Sequence, residues 1–381
     1  MKRFLSAMLL LGLALGATGC GNLQNSNLSN NPTNTEKKAK KYQTTTTTKG
    51  GYTVLLKNGT YQVSPINGIL ATNNDNNIDT RSLEKGLLDL SKRQFSTNSY
   101  VFQEGQQISE STAENWLARA TKKDKTGLNP IDNHKKGADT RNPIRVEQIL
   151  EQDFLTGSGR NYHLGGMSLG IAMNSIDYYN KVTDGPQYHT TISRADQEKY
   201  GKIAAEKVVK RLRKRKKLRN IPILIGLFSK TGQDSLTGGT YFAYGIASAN
   251  SSKIRDWKAL NYKTQTLPTV GDQKAISSDD ESDFSNFKSA IQDYFPDVSG
   301  VTANVRYEEG KLTEENISIT TQFYGYAQIQ SFTKLALSAA RKYLPNNAAI
   351  EIKISSVNDV QAVIAKNSPS DNYYVHVFNG E

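Results

Sequence analysis

Residues 221–229 read IPILIGLFS. The stretch is uncharged, apolar at six positions and too short for a buried helix, so it reads as a strand covered on both faces. Its neighbours fit that reading. Upstream, a long helix runs from a cap at Ser193 toward Lys217, and before it MSLGIAMNSIDYY (167–179) reads as a strand. Downstream, TYFAYGIAS (240–248) is another strand. The same order returns later in the chain. NISITTQFYG (316–325) reads as a strand, IQSFTKLALSAARKYL (329–344) as a helix, and AIEIKISSV (349–357) and YYVHVF (373–378) as strands. The two strand–helix–strand–strand units share little sequence identity, so a duplication is an expectation from order alone.

Between them, DFSNFKSAIQDYF (283–295) is amphipathic, with Phe284, Phe287, Ile291, Tyr294 and Phe295 on one side. Ahead of them, YTVLLKNGTYQVSP (52–65) is a hairpin: Asn58-Gly59 suits a type I′ turn, whose central residues both need positive φ. DTRSLEKGLLDLSKRQF (79–95) reads as a helix with Leu83, Leu87, Leu90 and Phe95 near one face. A further helix is expected to start at Ser111, which has capping-box spacing to Glu114. Thr121 to Pro143 is polar and punctuated by Gly and Pro, hence a long loop. Hairpins mixed with crossover helices give an α+β fold with mixed and antiparallel sheets, expected as two subdomains, 50–275 and 276–381.

The chain has 381 residues, 19 tyrosines, one cysteine and a formal charge of +12. Beyond the N-terminus no apolar run approaches the ~18 residues of a membrane span. At the N-terminus, Lys2 and Arg3 precede the uncharged, mostly apolar Phe4–Ala17, and then come Ala17, Thr18, Gly19 and Cys20. This order is that of an export signal. With small residues ahead of the lone thiol it resembles a bacterial lipobox. Residues 1–19 would then be the signal peptide, recognised by its peptidase at Ala17, Thr18 and Gly19, and Cys20 the lipidated N-terminus. The alternative is an ordinary secretory signal with an accidental cysteine. A lipid on Cys20 also leaves no thiol for a disulfide. Residues 20–49, rich in Asn, Ser, Thr and Lys, have little to bury and read as a tether with a reach of about 30 Å. Lys37, Lys38, Lys40 and Lys41 suit anionic headgroups or simply keep the tether soluble.

Chemistry-bearing patterns are sparse. His134, His163, His189 and His376 lack metal-ligand spacing, and no cofactor motif is present; GSGRNYHLGG (157–166) lacks the Lys-Ser/Thr ending of a phosphate loop. Glu151 and Asp153 in ILEQDF form the best carboxylate pair, sharing a face if the segment is a strand, as a glycosidase would need. KVVKRLRKRKKLRN (207–220) holds nine Lys/Arg and reads as a solvated helix end or a contact for a polyanion. It has no interleaved aromatics, so nucleic acid is not an expected partner. The expected partners are the membrane, through the lipid, and anionic wall polymers or headgroups; no protein partner is identifiable. Paired tyrosines in SIDYYN and SDNYYV, with Tyr241, Tyr244, Tyr324 and Tyr326, fit core packing or ligand stacking.

Taken in order, GLLDLSKRQF, YVFQEGQ, GLNP, ILEQDF, GIAMNSIDYY, DGP and IPI resemble the CamS family of sex-pheromone lipoprotein precursors, over about Leu83 to Phe378. The resemblance implies a lipoprotein on the outer face of a Gram-positive-type cell membrane. It also implies that the signal peptide's end is trimmed to a short mating signal. Here that end is Leu13–Gly19, with glycines at 16 and 19; the family's active peptide is richer in Ile and Phe and lacks these glycines. A smaller peptide buries less area in a receptor groove. For the folded body three readings stand: a non-catalytic binding module, a wall-polymer hydrolase using Glu151 and Asp153, and a membrane–wall spacer, which would show no sizeable pocket.

Overall fold

The computed structural model describes residues 42–379 apart from 47–49, 73–76, 160, 295–297, 323–324 and 357–358. The leader, Cys20 and most of the tether lie outside the described residues, as do Phe295 and Tyr324. The chain opens with β1 (Tyr42–Thr44), β2 (Thr53–Lys57), β3 (Thr60–Tyr61), α1 (Asn67–Thr72), α2 (Asn77–Ser91), β4 (Val101–Glu104) and α3 (Glu110–Leu117). The long hairpin β5 (Val146–Ser158) and β6 (Asn161–Met173) follows, then the short hairpin β7 (Ile176–Asn180) and β8 (Gln187–Thr191). Next come α4 (Arg194–Leu212), β9 (Ile223–Ser229), β10 (Thr240–Ala247) and β11 (Arg255–Ala259). The last third is β12 (Tyr262–Leu267), α5 (Ser278–Tyr294), β13 (Val298–Glu308), β14 (Lys311–Thr321), α6 (Tyr326–Tyr343), β15 (Ala349–Ser355), β16 (Val360–Lys366) and β17 (Tyr374–Val377).

The fold is α+β with mixed sheets. One sheet has the order β1-β2-β4-β5-β6-β9-β10-β11, with β3 beside β2; a second runs β12 to β17 in sequence; β7 and β8 pair alone. Two strand–helix–strand–strand units are present, but the fourth element of the second is β16, a strand the sequence reading passed over, and YYVHVF is β17, one strand further on. From β4 onward the first sheet pairs antiparallel, antiparallel, parallel, antiparallel, antiparallel. The second sheet repeats that series from β12 to β17. In each, a crossover helix, α4 or α6, joins the parallel pair, and α3 or α5 sits between the first two strands.

The halves differ in how they are covered. All seven residues of β9 are buried, as its sequence requires. Alanines and valines of α4 cover one face of the first sheet, and Leu83, Leu87 and Leu90 of α2 cover the other. There the Tyr241 ring occupies a slot floored by Gly86, Gly170 and Gly226. A Cβ on these would lie 2.8, 2.6 and 2.5 Å from Tyr241 atoms, and the hydroxyl donates to the Leu83 carbonyl at 2.9 Å. The second sheet has a single core, built with α5 and α6. On its opposite face the register aligns a polar row, Thr266, Asn304, Asn316, Glu351, Ala365 and Tyr374, across six strands, while Tyr262 and Glu314 at one end of that face meet Arg93 and Lys85.

Several local expectations shift. The turn at Asn58 (φ 53°) and Gly59 (φ 76°) forms as read. The third helix is capped by Ser109 rather than Ser111: its side chain accepts from Thr112 N, because the preceding Ile108 N–H is already held by Glu151. MSLGIAMNSIDYY breaks at Asn174, whose N–H and side-chain amide donate to the Arg145 and Ile144 carbonyls and end β6. The helix capped by Ser193 stops at Leu212, not Lys217, because Arg213 folds its guanidinium back onto the chain that follows. Tyr294 is 63% exposed, unlike Phe284, Phe287 and Ile291 beside it.

Candidate functional site

On β5, side chains alternate. Leu150 and Phe154 face α2, and Ile149 belongs to the core on the other face. Glu151 and Asp153 are each 1% exposed. The turn between β4 and α3 lies over them. Glu151 Oε1 accepts from Gln107 N at 2.7 Å and Oε2 from Ile108 N at 2.8 Å. Asp153 Oδ2 accepts from Gln106 N at 3.1 Å and from Gln107 Nε2 at 3.0 Å. Gly105 donates to the Glu151 carbonyl, and a Cβ there would fall 2.3 Å from that of Glu151. From outside, Arg215 donates to the Gln107 carbonyl. Burial, then the neighbouring Asp153, pushes Glu151 well above the usual carboxylate range; burial pushes Asp153 up to about 6. The sequence correctly places them on one face. What they do there is clamp a turn with three of their four oxygens, while Asp153 Oδ1 has no partner among the described residues.

On the α2 side lies a pocket of about 320 Å³, between α2, β4, β5 and the segment after β3. Leu88, Phe102 and Leu150 give it an apolar floor. Around the floor stand Arg81, Glu84 and Lys85 of α2 with Glu104, Tyr61, Asn67, Glu151 and Gln152. Positions 81, 84, 85 and 88 follow helical spacing, so they form one stripe beside the buried leucines. Sequence reasoning followed the leucines and missed this stripe, although its period was visible. Glu104 is fully engaged: Oε1 accepts from Tyr61 Oη at 2.7 Å, and Oε2 from Ser64 N at 2.7 Å and Asn67 Nδ2 at 2.9 Å. Lys85 bridges Asp89 and Glu314. Gln152 Nε2 donates to the Glu84 carbonyl at 3.1 Å, while its buried Oε1 has no partner. Burial, then Glu104, raises the Glu84 carboxyl.

The other candidates disperse. Arg213 gives its guanidinium to the carbonyls of Leu218, Ile221, Ala247, Ser248 and Ser251. Part of the basic run is therefore structural, while Lys207, Lys210, Lys214, Lys216, Lys217 and Arg219 are exposed. His163 meets Thr156 in the β5–β6 hairpin, His134 faces Asp132, His189 packs near Tyr178, and His376 stacks with Tyr374. Among the described residues no three His, Cys, Asp or Glu side chains gather as a metal site would. GSGRNYHLGG contributes the end of β5 and the first part of β6. Tyr241 and Tyr244 are core residues; Tyr326 and Tyr374 are exposed.

A further buried acid had no sequence signal. Glu315 on β14 is 2% exposed and its Oε1 has no partner. Burial, then Asp280 and Asp283, pushes it up to about 8. An acid raised by folding holds its proton more tightly in the native state. Its contribution is whole below the ordinary value of 4.5 and is lost as pH climbs through about 8. Glu315→Gln is expected to flatten the fall in thermal stability between pH 5 and pH 9 by a few kcal/mol, at about 1.4 kcal/mol per pKa unit. Parallel melting curves of the two proteins check this; curves that fall equally would refute it.

The sequence matches the family described as CamS sex pheromone cAM373 precursor over residues 61–372. The chain belongs to the CamS family. It is similar to the crystal structure of a sex pheromone precursor from Lactobacillus salivarius, at 39% identity and a TM-score of 0.84, covering 89% of this chain and all of that one. It is also similar to the C-terminal domain of the staph-cAM373 precursor from Staphylococcus aureus, at 27% identity and a TM-score of 0.70, covering 81% of this chain and 99% of that one. No curated protein sequence matches. Among the described residues no helix is long and apolar enough to cross a membrane.

Proposed function

We propose that this CamS-family chain is a lipoprotein held on the outer face of the cell membrane through Cys20, and that its folded body is a non-catalytic binding module. The anchor reading rests on the lone cysteine directly after Phe4–Ala17 and the small residues Ala17, Thr18 and Gly19. A thioether-linked diacylglycerol supplies two chains, which hold a protein stably where one does not. The polar segment to residue 49 gives the body about 30 Å of play. The observation that carries the binding reading is the amphipathic pocket over α2, β4 and β5, because the nearest carboxylate pair is occupied by backbone amides. A spacer has no use for such a pocket. The released end of the leader, Leu13–Gly19, is the segment from which a short signalling peptide would come.

Mass spectrometry of the membrane fraction tests the anchor. The expected product lacks residues 1–19 and carries a diacylglyceryl thioether on Cys20, and Cys20→Ser is expected to block that processing. A membrane-bound chain with Cys20 unmodified would overturn it.

A further inference from the structure

Three groups of the α2 pocket have no protein partner among the described residues, two of them exposed charges and the third a buried acceptor. Arg81 and Glu84 are one helical turn apart, yet neither side chain makes an ion pair or a hydrogen bond among the described residues. Gln152 Oε1 is buried beside them with no donor. A buried acceptor left bare costs roughly 1–3 kcal/mol, which a ligand's N–H group would recover. The other polar groups are spoken for. Glu104 accepts three hydrogen bonds, and Lys85 lies between two carboxylates. What stays open is one cation, one anion, one neutral acceptor and an apolar floor.

That set excludes several ligand classes. A phosphate would meet a single free cation facing Glu84 and Glu104. A metal ion would find one free carboxylate and no imidazole. A purely apolar ligand would leave Glu84, Arg81 and Gln152 as they are. A primary ammonium placed between Glu84 and Gln152 would relieve the repulsion between Glu84 and Glu104, and a carboxylate one turn away would take Arg81 in a forked pair.

We propose, resting on the binding-module reading, that this pocket takes a zwitterion with an apolar side chain, a free amino acid or a very short peptide with unblocked ends. Glu84 and the Gln152 side-chain oxygen hold its ammonium, Arg81 its carboxylate, and Leu88, Phe102 and Leu150 its apolar part. The volume of about 320 Å³ suits a ligand of that size.

Calorimetric titration of the full-length protein tests this with five probes: L-phenylalanine, the dipeptide Phe-Leu, N-acetyl-phenylalanine, phenylalaninamide and indole. One zwitterion is expected to bind, and which one separates a free amino acid from a peptide. Blocking either of its ends is expected to weaken binding at least tenfold. Glu84→Gln, at an exposed helix position, is expected to weaken the zwitterion tenfold while leaving the acetylated probe unchanged. Arg81→Gln should do the same relative to the amide. Equal affinity for blocked and unblocked probes would overturn the assignment. So would indole binding with neither zwitterion, although the pocket would then stand as a binding site. Silence from all five would remove both readings.

Discussion

Tyr241→Ala is expected to lower stability by about 4 kcal/mol, the usual cost of emptying a large buried aromatic site. The ring is 1% exposed, and its slot exists because three glycines withdraw from it. The vacated space cannot close readily, since β6, β9 and α2 are each held by other packing. The hydroxyl bond to the Leu83 carbonyl is lost as well. The converse substitution sharpens the test. Gly226→Ala places a Cβ 2.5 Å from the ring and is expected to cost about 2 kcal/mol alone. In the Tyr241→Ala background the same methyl enters free space, so the double variant should be more stable than the sum of the two losses implies. Denaturant melts of the four proteins measure this coupling; strict additivity would show that the slot is not what the two residues share.

Glu151→Ala is the second large expected effect, about 4 kcal/mol, from stripping two buried amide donors of their acceptor. Glu151→Gln is expected to recover about half of it, because its amide oxygen can accept from one of the two backbone N–H groups while its NH2 faces the other. Burial and the neighbouring Asp153 both raise the Glu151 carboxyl, so loss of its charge is not what damages the glutamine variant. Melting temperatures of the two variants should separate widely, and limited proteolysis should cut the alanine variant first at 105–108. If both variants melt together with the native protein, the turn does not depend on the clamp. If glutamine is as damaging as alanine, a single accepted hydrogen bond does not hold the turn.

The fold was legible where burial imposes a period. IPILIGLFS gave its strand, the leucines of α2 gave its inner face, and both crossover units followed from the order of apolar segments. The rest was set by contacts remote in sequence. Ser109 displaces Ser111 as a cap because β5 reaches across to hold the preceding residue. Arg213 ends α4 through carbonyls up to 38 positions away, and no local pattern marks one arginine among nine basic residues as structural. The site was half visible. ILEQDF drew the eye to two acids that clamp a turn, while Gln152 between them, which borders the pocket beside Glu151 and donates to the Glu84 carbonyl, went unremarked.

The polar side of the second sheet explains why its strand order can match the first while the residues do not. In the first sheet the corresponding side must accommodate a helix and a recessed tyrosine ring, so it demands glycines and leucines at fixed places. In the second, water is the neighbour, and threonine, asparagine, glutamate or tyrosine serve equally along the row from Thr266 to Tyr374. Repeated topology thus survives there under looser chemical constraint. The likeness between the halves lies in how strands pair rather than in which letters they carry.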